Sequence, residues 1–189
     1  MVSRPALAAL ALCAALGAQA AEVGGVRLDD RAKVGAADLV LNGAGVRKRA
    51  FFSVYAIGLY LPDKKPGAAD AIGAPGAKRV AIYMLRDVDA ATFTDALVDG
   101  MRPNHDDATM KALEPRIGEL SSIMNELKEA KKGMAILLDW QPGAGTLVNV
   151  DGKSRGKPIA GEDFYRALLR IWIGERPVQD DLKKTLLGG

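Results

Sequence analysis

An arginine beside a buried phenol is a place to hold an anion, and this sequence offers such a pair in Arg47 and Tyr55. Arg47-Lys48-Arg49 puts three cations in a row just before an apolar run that carries Tyr55. A guanidinium presents a planar fork of donors to an oxyanion or carboxylate, and a phenol adds one more. The competing assignment is a solvated basic turn, with Tyr55 a core residue whose hydroxyl pairs locally. Other reactive residues have plainer readings. His105 is the single histidine; with Cys13 the only cysteine and that one near the N-terminus, it builds neither a usual zinc site nor a serine–histidine triad, and reads as a loop residue. Asp106-Asp107 and Asp180-Asp181 precede helical patterns, where carboxylates favour the helix dipole. Lys128, Lys131 and Lys132 fall at an expected helix end. Trp140 and Trp172 read as core anchors. Gly43-Ala44-Gly45 lacks a third glycine, since Lys48 stands at that place, and a strand follows where a nucleotide fingerprint needs a helix. It reads as a tight turn between strands.

The pair needs a strand to present it. From Ala50 to Pro62 the chain is rich in aromatic and β-branched residues and ends at proline. Phe51, Ser53, Tyr55, Ile57, Leu59 and Leu61 alternate with Phe52, Val54, Ala56, Gly58 and Tyr60, so both faces are mostly apolar. This predicts a central strand covered on both sides, with Gly58 admitting a close neighbour. Val26, Leu28 and Val34 suggest an edge hairpin, and residues 63–78 a Gly/Ala/Pro loop. Residues 79–85 predict another strand. Asp89 caps a helix that carries Phe93, Leu97 and Met101 on one side. A second helix is expected from about Asp107 to Lys131, with Pro115 a place to kink. Residues 134–140 and 146–150 form a hairpin around Pro142-Gly143-Ala144-Gly145, and residues 151–159 turn back to the sheet. Phe164, Leu168, Ile171 and Trp172 share a helix face that Gly174 stops, and Val178 to Leu187 make a last short helix. Strands, then helices, then strands and a helix make an α+β fold.

The chain has 189 residues, enough for one domain with a sizeable core. Residues 1–20 are set apart from it. Arg4 supplies a positive start, Ala6 to Leu16 an apolar stretch too short to span a bilayer, and Ala18-Gln19-Ala20 a small-residue cleavage site. The expectation is a signal peptide over 1–20, a domain over 21–189, and export to a periplasm. No later segment is apolar enough for an integral membrane helix. Cys13 is the only cysteine, and it lies in the leader. The mature chain would then have no disulfide, thiolate chemistry or cysteine metal site. The net charge of +3, or 3 − 1 = +2 once Arg4 leaves with the leader, implies no nucleic-acid or anionic-membrane partner by itself. No metal, nucleotide or redox cofactor is implied.

Two stretches carry a family resemblance. Gly43-Ala44-Gly45-Val46-Arg47 followed by Phe51-Phe52-Ser53-Val54-Tyr55-Ala56-Ile57-Gly58-Leu59-Tyr60-Leu61 resembles the signature of chalcone isomerase-like proteins. Asp163 to Pro177, reading Asp-Phe-Tyr-Arg-Ala-Leu-Leu-Arg-Ile-Trp-Ile-Gly-Glu-Arg-Pro, is similar to the C-terminal helix of the exported bacterial branch. The resemblance implies an antiparallel sheet with helices packed mainly on one face. In the enzymes an arginine after the Gly-x-Gly segment and a threonine on the next strand line the substrate cleft. Arg47 matches the arginine, and Tyr55 replaces the threonine. The enzymes' catalytic tyrosine falls here at Phe93, and an asparagine seven residues on falls at Gly100. Isomerisation adds a phenolate to an enone and needs polar groups where enolate charge develops. Non-catalytic relatives bind fatty acids through an arginine and a tyrosine. The resemblance therefore implies binding of a small amphipathic carboxylate such as a fatty acid, at Arg47 and Tyr55. The alternatives are an intramolecular lyase of the isomerase type on another substrate, with Arg47 its one catalytic candidate, and a scaffold role.

Overall fold

The computed structural model describes residues 20–189. Residues 1–19, most of the expected signal peptide and Cys13 with it, lie outside the described residues. The chain runs β1 (Ala21–Val23), β2 (Val26–Leu28), β3 (Arg31–Val34), β4 (Ala37–Arg49), β5 (Phe52–Leu61), α1 (Ala68–Gly73), β6 (Lys78–Met84), β7 (Val88–Asp89) and α2 (Ala90–Met101). A 3-10 turn (Arg102–Asn104) leads to α3 (Asp107–Asn125), β8 (Glu129–Ala130), β9 (Ala135–Gln141), β10 (Gly145–Val150), β11 (Lys153–Ile159), α4 (Glu162–Ile173) and α5 (Asp180–Leu186). Seven strands form one sheet in the order β11-β10-β9-β6-β5-β4-β3, antiparallel throughout. β5 is internal, as its two apolar faces require.

The sheet's two faces are covered differently. Tyr55, Ile57, Leu59 and Leu61 of β5 join Phe93, Leu97 and Met101 of α2, Leu113, Leu120 and Met124 of α3, and the apolar face of α4 in the main core. The opposite face carries a smaller cluster in which Leu28, Leu39, Leu41 and Tyr60 pack together. There Gly58 earns its place: a Cβ on it would stand 2.6 Å from Leu28 Cδ2. The close neighbour expected at Gly58 is thus the β1–β2 hairpin. Asp89 caps α2 by accepting the Thr92 N–H at 2.9 Å, and Asp106 caps α3 in the same way from Thr109 at 2.7 Å.

Several sequence expectations need correction. Gly43-Ala44-Gly45 is not a turn; it lies inside the 13-residue strand β4. The turn comes at Ala50-Phe51, and Phe51 is fully exposed rather than part of a buried strand face. Residues 63–78 are not all loop, because α1 forms within them. The second helix passes through Pro115 and stops at Asn125, short of Lys131. Lys128 then takes a left-handed φ of 62°, and β8 pairs with β7. Lys131 and Lys132 therefore lie in a turn before β9 rather than at a helix end.

Candidate ligand-binding cleft

The site is built on the pairing of β4 with β5. Arg47 stands opposite Tyr55, so the two side chains rise from the same face of the sheet. The next pairs are Lys48 with Ser53 and Arg49 with Phe52, which leaves Val54 without a partner in β4. Such a bulge bends the strand and re-aims side chains. Here it brings both Val54 and Tyr55 to the floor of one cleft of about 310 Å³.

Helix α2 forms one wall. Thr92, Phe93, Ala96, Leu97 and Gly100 repeat at helical spacing and line the cleft together. The other wall is Ile171 of α4 with Arg176, Pro177 and Val178 from the segment that follows it. That segment is held firmly. Val178 N donates to Ile171 O at 2.9 Å. Asn104 clamps Arg176 from both sides, its Oδ1 accepting the Arg176 N–H at 2.9 Å and its Nδ2 donating to Arg176 O at 2.8 Å. Gln179 then ties the segment to the strand, accepting the Lys48 N–H at 2.8 Å and donating to Val46 O at 3.3 Å.

The polar end is the Arg47–Tyr55 pair. Arg47 Nη1 donates to Lys48 O and, at 3.4 Å, to Gln179 Oε1. Those bonds leave other donors of the fork for a ligand. Tyr55 is buried, and its ring meets Phe93 edge-on at 6.1 Å and 78°. Its oxygen accepts the Trp172 indole N–H at 2.9 Å. Burial raises the Tyr55 phenol above its ordinary value of 10; the Trp172 bond and the Arg47 charge pull it back without cancelling that rise. At neutral pH the group is therefore a neutral hydroxyl. Its oxygen is already engaged as an acceptor, and among the described residues its own proton meets no hydrogen-bond acceptor. An anion that enters the cleft would supply one.

The rest of the lining is mostly apolar, with Arg49 and Arg176 set against the single acid Asp99 at exposed positions. The arrangement suits a molecule with an anionic head and a hydrocarbon body. Phe93 and Gly100, the positions where the enzymes' tyrosine and asparagine are expected, both line this cleft. Phe93 carries no polar atom on its side chain. Gly100 has no room for a larger residue, since a Cβ there would stand 2.8 Å from Ile171 Cγ2 and 2.9 Å from Val178 Cγ1. Close packing of α2 against α4 has taken the space an asparagine would need.

The structure thus brings together Arg47, Tyr55, Phe93 and Gly100, and keeps His105 apart from them. His105 Nδ1 pairs with Met101 O at 2.8 Å, on the far side of the 3-10 turn. Trp140 and Trp172 are both core residues, but Trp172 has the second task of orienting Tyr55. Sequence reasoning missed Gln179, Asn104 and Arg176. Asn104 and Gln179 act on backbone groups of distant segments, which their residue types do not signal. Among the described residues no group of three or more histidine, cysteine or acidic side chains is placed to hold a metal, and no helix is long and apolar enough to cross a membrane.

Comparison with known proteins adds a frame. A family model described as chalcone isomerase-like matches residues 20–188. No curated protein matches the sequence. Among solved structures, a fatty-acid binding protein of Arabidopsis thaliana superposes with a TM-score of 0.68, covering 87% of this chain and 92% of that one at 16% identity. A likeness at that identity is one of fold.

Proposed function

Since the chain belongs to the chalcone isomerase-like family, we propose that it is a binding protein of that family rather than an isomerase. It holds a small amphipathic carboxylate such as a fatty acid. The carboxylate sits between the Arg47 guanidinium and the Tyr55 hydroxyl, and the hydrocarbon lies along Phe93, Leu97, Ile171 and Val178. The observation that carries this reading is the register of β4 on β5, which sets one fixed cation beside one neutral phenol at the end of an apolar cleft. A charged acceptor gains from both, because the guanidinium supplies charge and the buried phenol supplies a proton that burial keeps in place. The Arabidopsis protein of the same fold is described as a fatty-acid binder, which favours the same class of ligand.

The isomerase alternative is disfavoured by the two cleft positions without polar side chains, Phe93 and Gly100. A ketone lodged against Phe93 meets no donor as its oxygen gains charge. The scaffold alternative accounts for the packing of Tyr55 but gives no reason for the apolar cleft that the Arg47–Tyr55 pair closes at one end. The protein is further proposed to be exported to the periplasm, on the charged, apolar and small-residue order of residues 1–20. N-terminal sequencing of the protein recovered from its host should start at or near Ala21, and a start at Met1 in envelope material contradicts export.

Native mass spectrometry of protein purified from its own host tests the ligand class. The expected result is a copurified acid whose mass falls in the fatty-acid series. A hydroxychalcone mixed with the protein should lose its absorbance at the uncatalysed rate. Saturable acceleration proportional to protein would restore the isomerase reading.

A further inference from the structure

Phe51 and Phe52 are the large hydrophobic residues left exposed among the described residues, at 100% and 58% of their surface. They sit together at the tip of the β4–β5 hairpin, where Arg49 pairs with Phe52 and the chain turns through Ala50 and Phe51. The turn is a costly one. Ala50 holds a left-handed φ of 52°, a place where glycine or asparagine is the cheap choice. An unfavourable backbone that holds a fully exposed phenylalanine at an apex has no account in the packing of this chain.

The surroundings are basic. Lys48 and Arg49 lead into the tip, and the Arg86 guanidinium lies 4.7 Å from the centre of the Phe52 ring. Asp87 accepts the Lys132 N–H at 2.7 Å, which brings exposed Lys131 and Lys132 to the same end of the sheet. The nearby acids are Asp87, Asp89, Glu129 and Asp151, the last accepting the Ala135 N–H at 2.8 Å. Asp87 and Asp89 are likewise engaged with backbone N–H groups. Arg49 and Val54 also line the ligand cleft, so the tip adjoins its mouth.

We propose that this hairpin tip docks on an anionic lipid bilayer, with Phe51 and Phe52 entering the interface and the cations meeting the headgroups. Two aromatic rings on a narrow turn offer far too little area for a stable protein partner, which needs roughly 800 Å² a side. They suit insertion into a bilayer surface, where a small apolar wedge and a cationic belt act together. The contact sets the cleft mouth beside the acyl layer. That this serves ligand transfer rests on the acid-binding reading; the membrane contact itself does not.

The test is co-sedimentation of the full mature chain with vesicles of phosphatidylcholine mixed with phosphatidylglycerol, against phosphatidylcholine alone. The protein should pellet with the mixed vesicles, less so at high salt. Phe51→Ser should lower the affinity about tenfold. Lys131→Glu with Lys132→Glu should lower it at least about tenfold on the mixed vesicles. Both variants should keep the wild-type melting curve. Phe51→Ser should also keep wild-type titration with a fluorescent fatty acid in vesicle-free buffer, so failure of the cleft and failure of the tip are read separately. No association with the mixed vesicles, or equal association of Phe51→Ser and wild type, overturns the proposal. A protein captured by the tip in the absence of vesicle binding would do the same.

Discussion

Strand β4 treats its middle and its C-terminal end in opposite ways. At Gly43 and Gly45 the strand is bare, and α5 lies directly on it. A Cβ on Gly43 would run into the backbone of Thr185 and Leu186, and one on Gly45 would stand 2.6 Å from Leu182 Cδ1. Asn42 locks this stretch, donating to Leu186 O at 2.7 Å and to Lys65 O at 3.1 Å while accepting the Lys65 N–H at 2.6 Å. Two residues beyond Gly45, on the same face, Arg47 faces the open cleft. The glycine stretch is closed by absence of side chains, and the arginine end is kept open by a long one. A single strand therefore carries both the seal and the site, and the difference between them is whether a Cβ is present.

Breaking the seal should have the largest effect. Gly43→Leu forces a side chain against the fixed carbonyls of α5, and overpacking of this kind costs about 3 kcal/mol. The expected result is a clear drop in melting temperature. A Gly43→Leu protein as stable as wild type would mean that α5 is not held where it lies.

Breaking the open end should spare the fold and lower affinity. Arg47→Ala removes a charge-assisted hydrogen bond worth roughly 1.5–3 kcal/mol, or about one to two decades in dissociation constant for a fluorescent fatty acid. Arg47→Lys should recover only part, because an ammonium lacks the planar fork. Equal affinity for wild type and Arg47→Ala, both folded, would remove Arg47 from the site.

Tyr55→Phe is expected to touch both properties with a smaller effect on each. It removes one neutral donor from the ligand, and it leaves the Trp172 N–H buried without an acceptor, a cost of about 1 kcal/mol or more. It also alters the alkaline limb of stability. The Tyr55 and Tyr165 phenols are raised in the folded state chiefly by burial. Above pH 10 the unfolded chain loses these protons first, so the folded state binds more protons and stability falls as pH rises. Tyr55→Phe should make that decline shallower in denaturant melts. An unchanged slope would mean that Tyr55 ionises as freely folded as unfolded.

Lys48→Ala sets the lower bound. Its side chain is exposed and its N–H, which Gln179 uses, is retained. Affinity within about 0.5 kcal/mol of wild type is expected in the same titration. A loss as large as that of Arg47→Ala would make the basic segment a diffuse field rather than a single anchor.

The pairing of Arg47 with Tyr55 was legible because alternation along β5 and the family signature point to the same two residues. The fold class was legible from the order of periodic segments. The glycine pair was not. In isolation Gly-Ala-Gly carries the same signal for a turn as for a strand stripped to admit a neighbour, and the neighbour lies far along the chain. The clamp residues Asn104 and Gln179 were hidden for a related reason. Each acts through backbone groups of a distant segment, and a polar side chain in a loop gives no sign of which backbone it will meet. Phe51 misled in another way, since an aromatic next to a buried strand looks like more of the strand until the turn is located.

The docking of α5 also bears on the timing of folding. Asn42 and Leu186, joined by one hydrogen bond, are 144 residues apart in sequence. Closing so long a loop is entropically expensive before its contacts repay it, and topologies rich in such contacts fold slowly. The segment Arg176 to Val178, which helps form the cleft's far wall, is carried between α4 and α5. Completion of the cleft is therefore expected among the late steps of folding, because its far wall is tethered to α5. Until α5 docks, the chain exposes the apolar faces of Leu182 and Leu186 and a bare glycine strand beside them, a surface open to unwanted association.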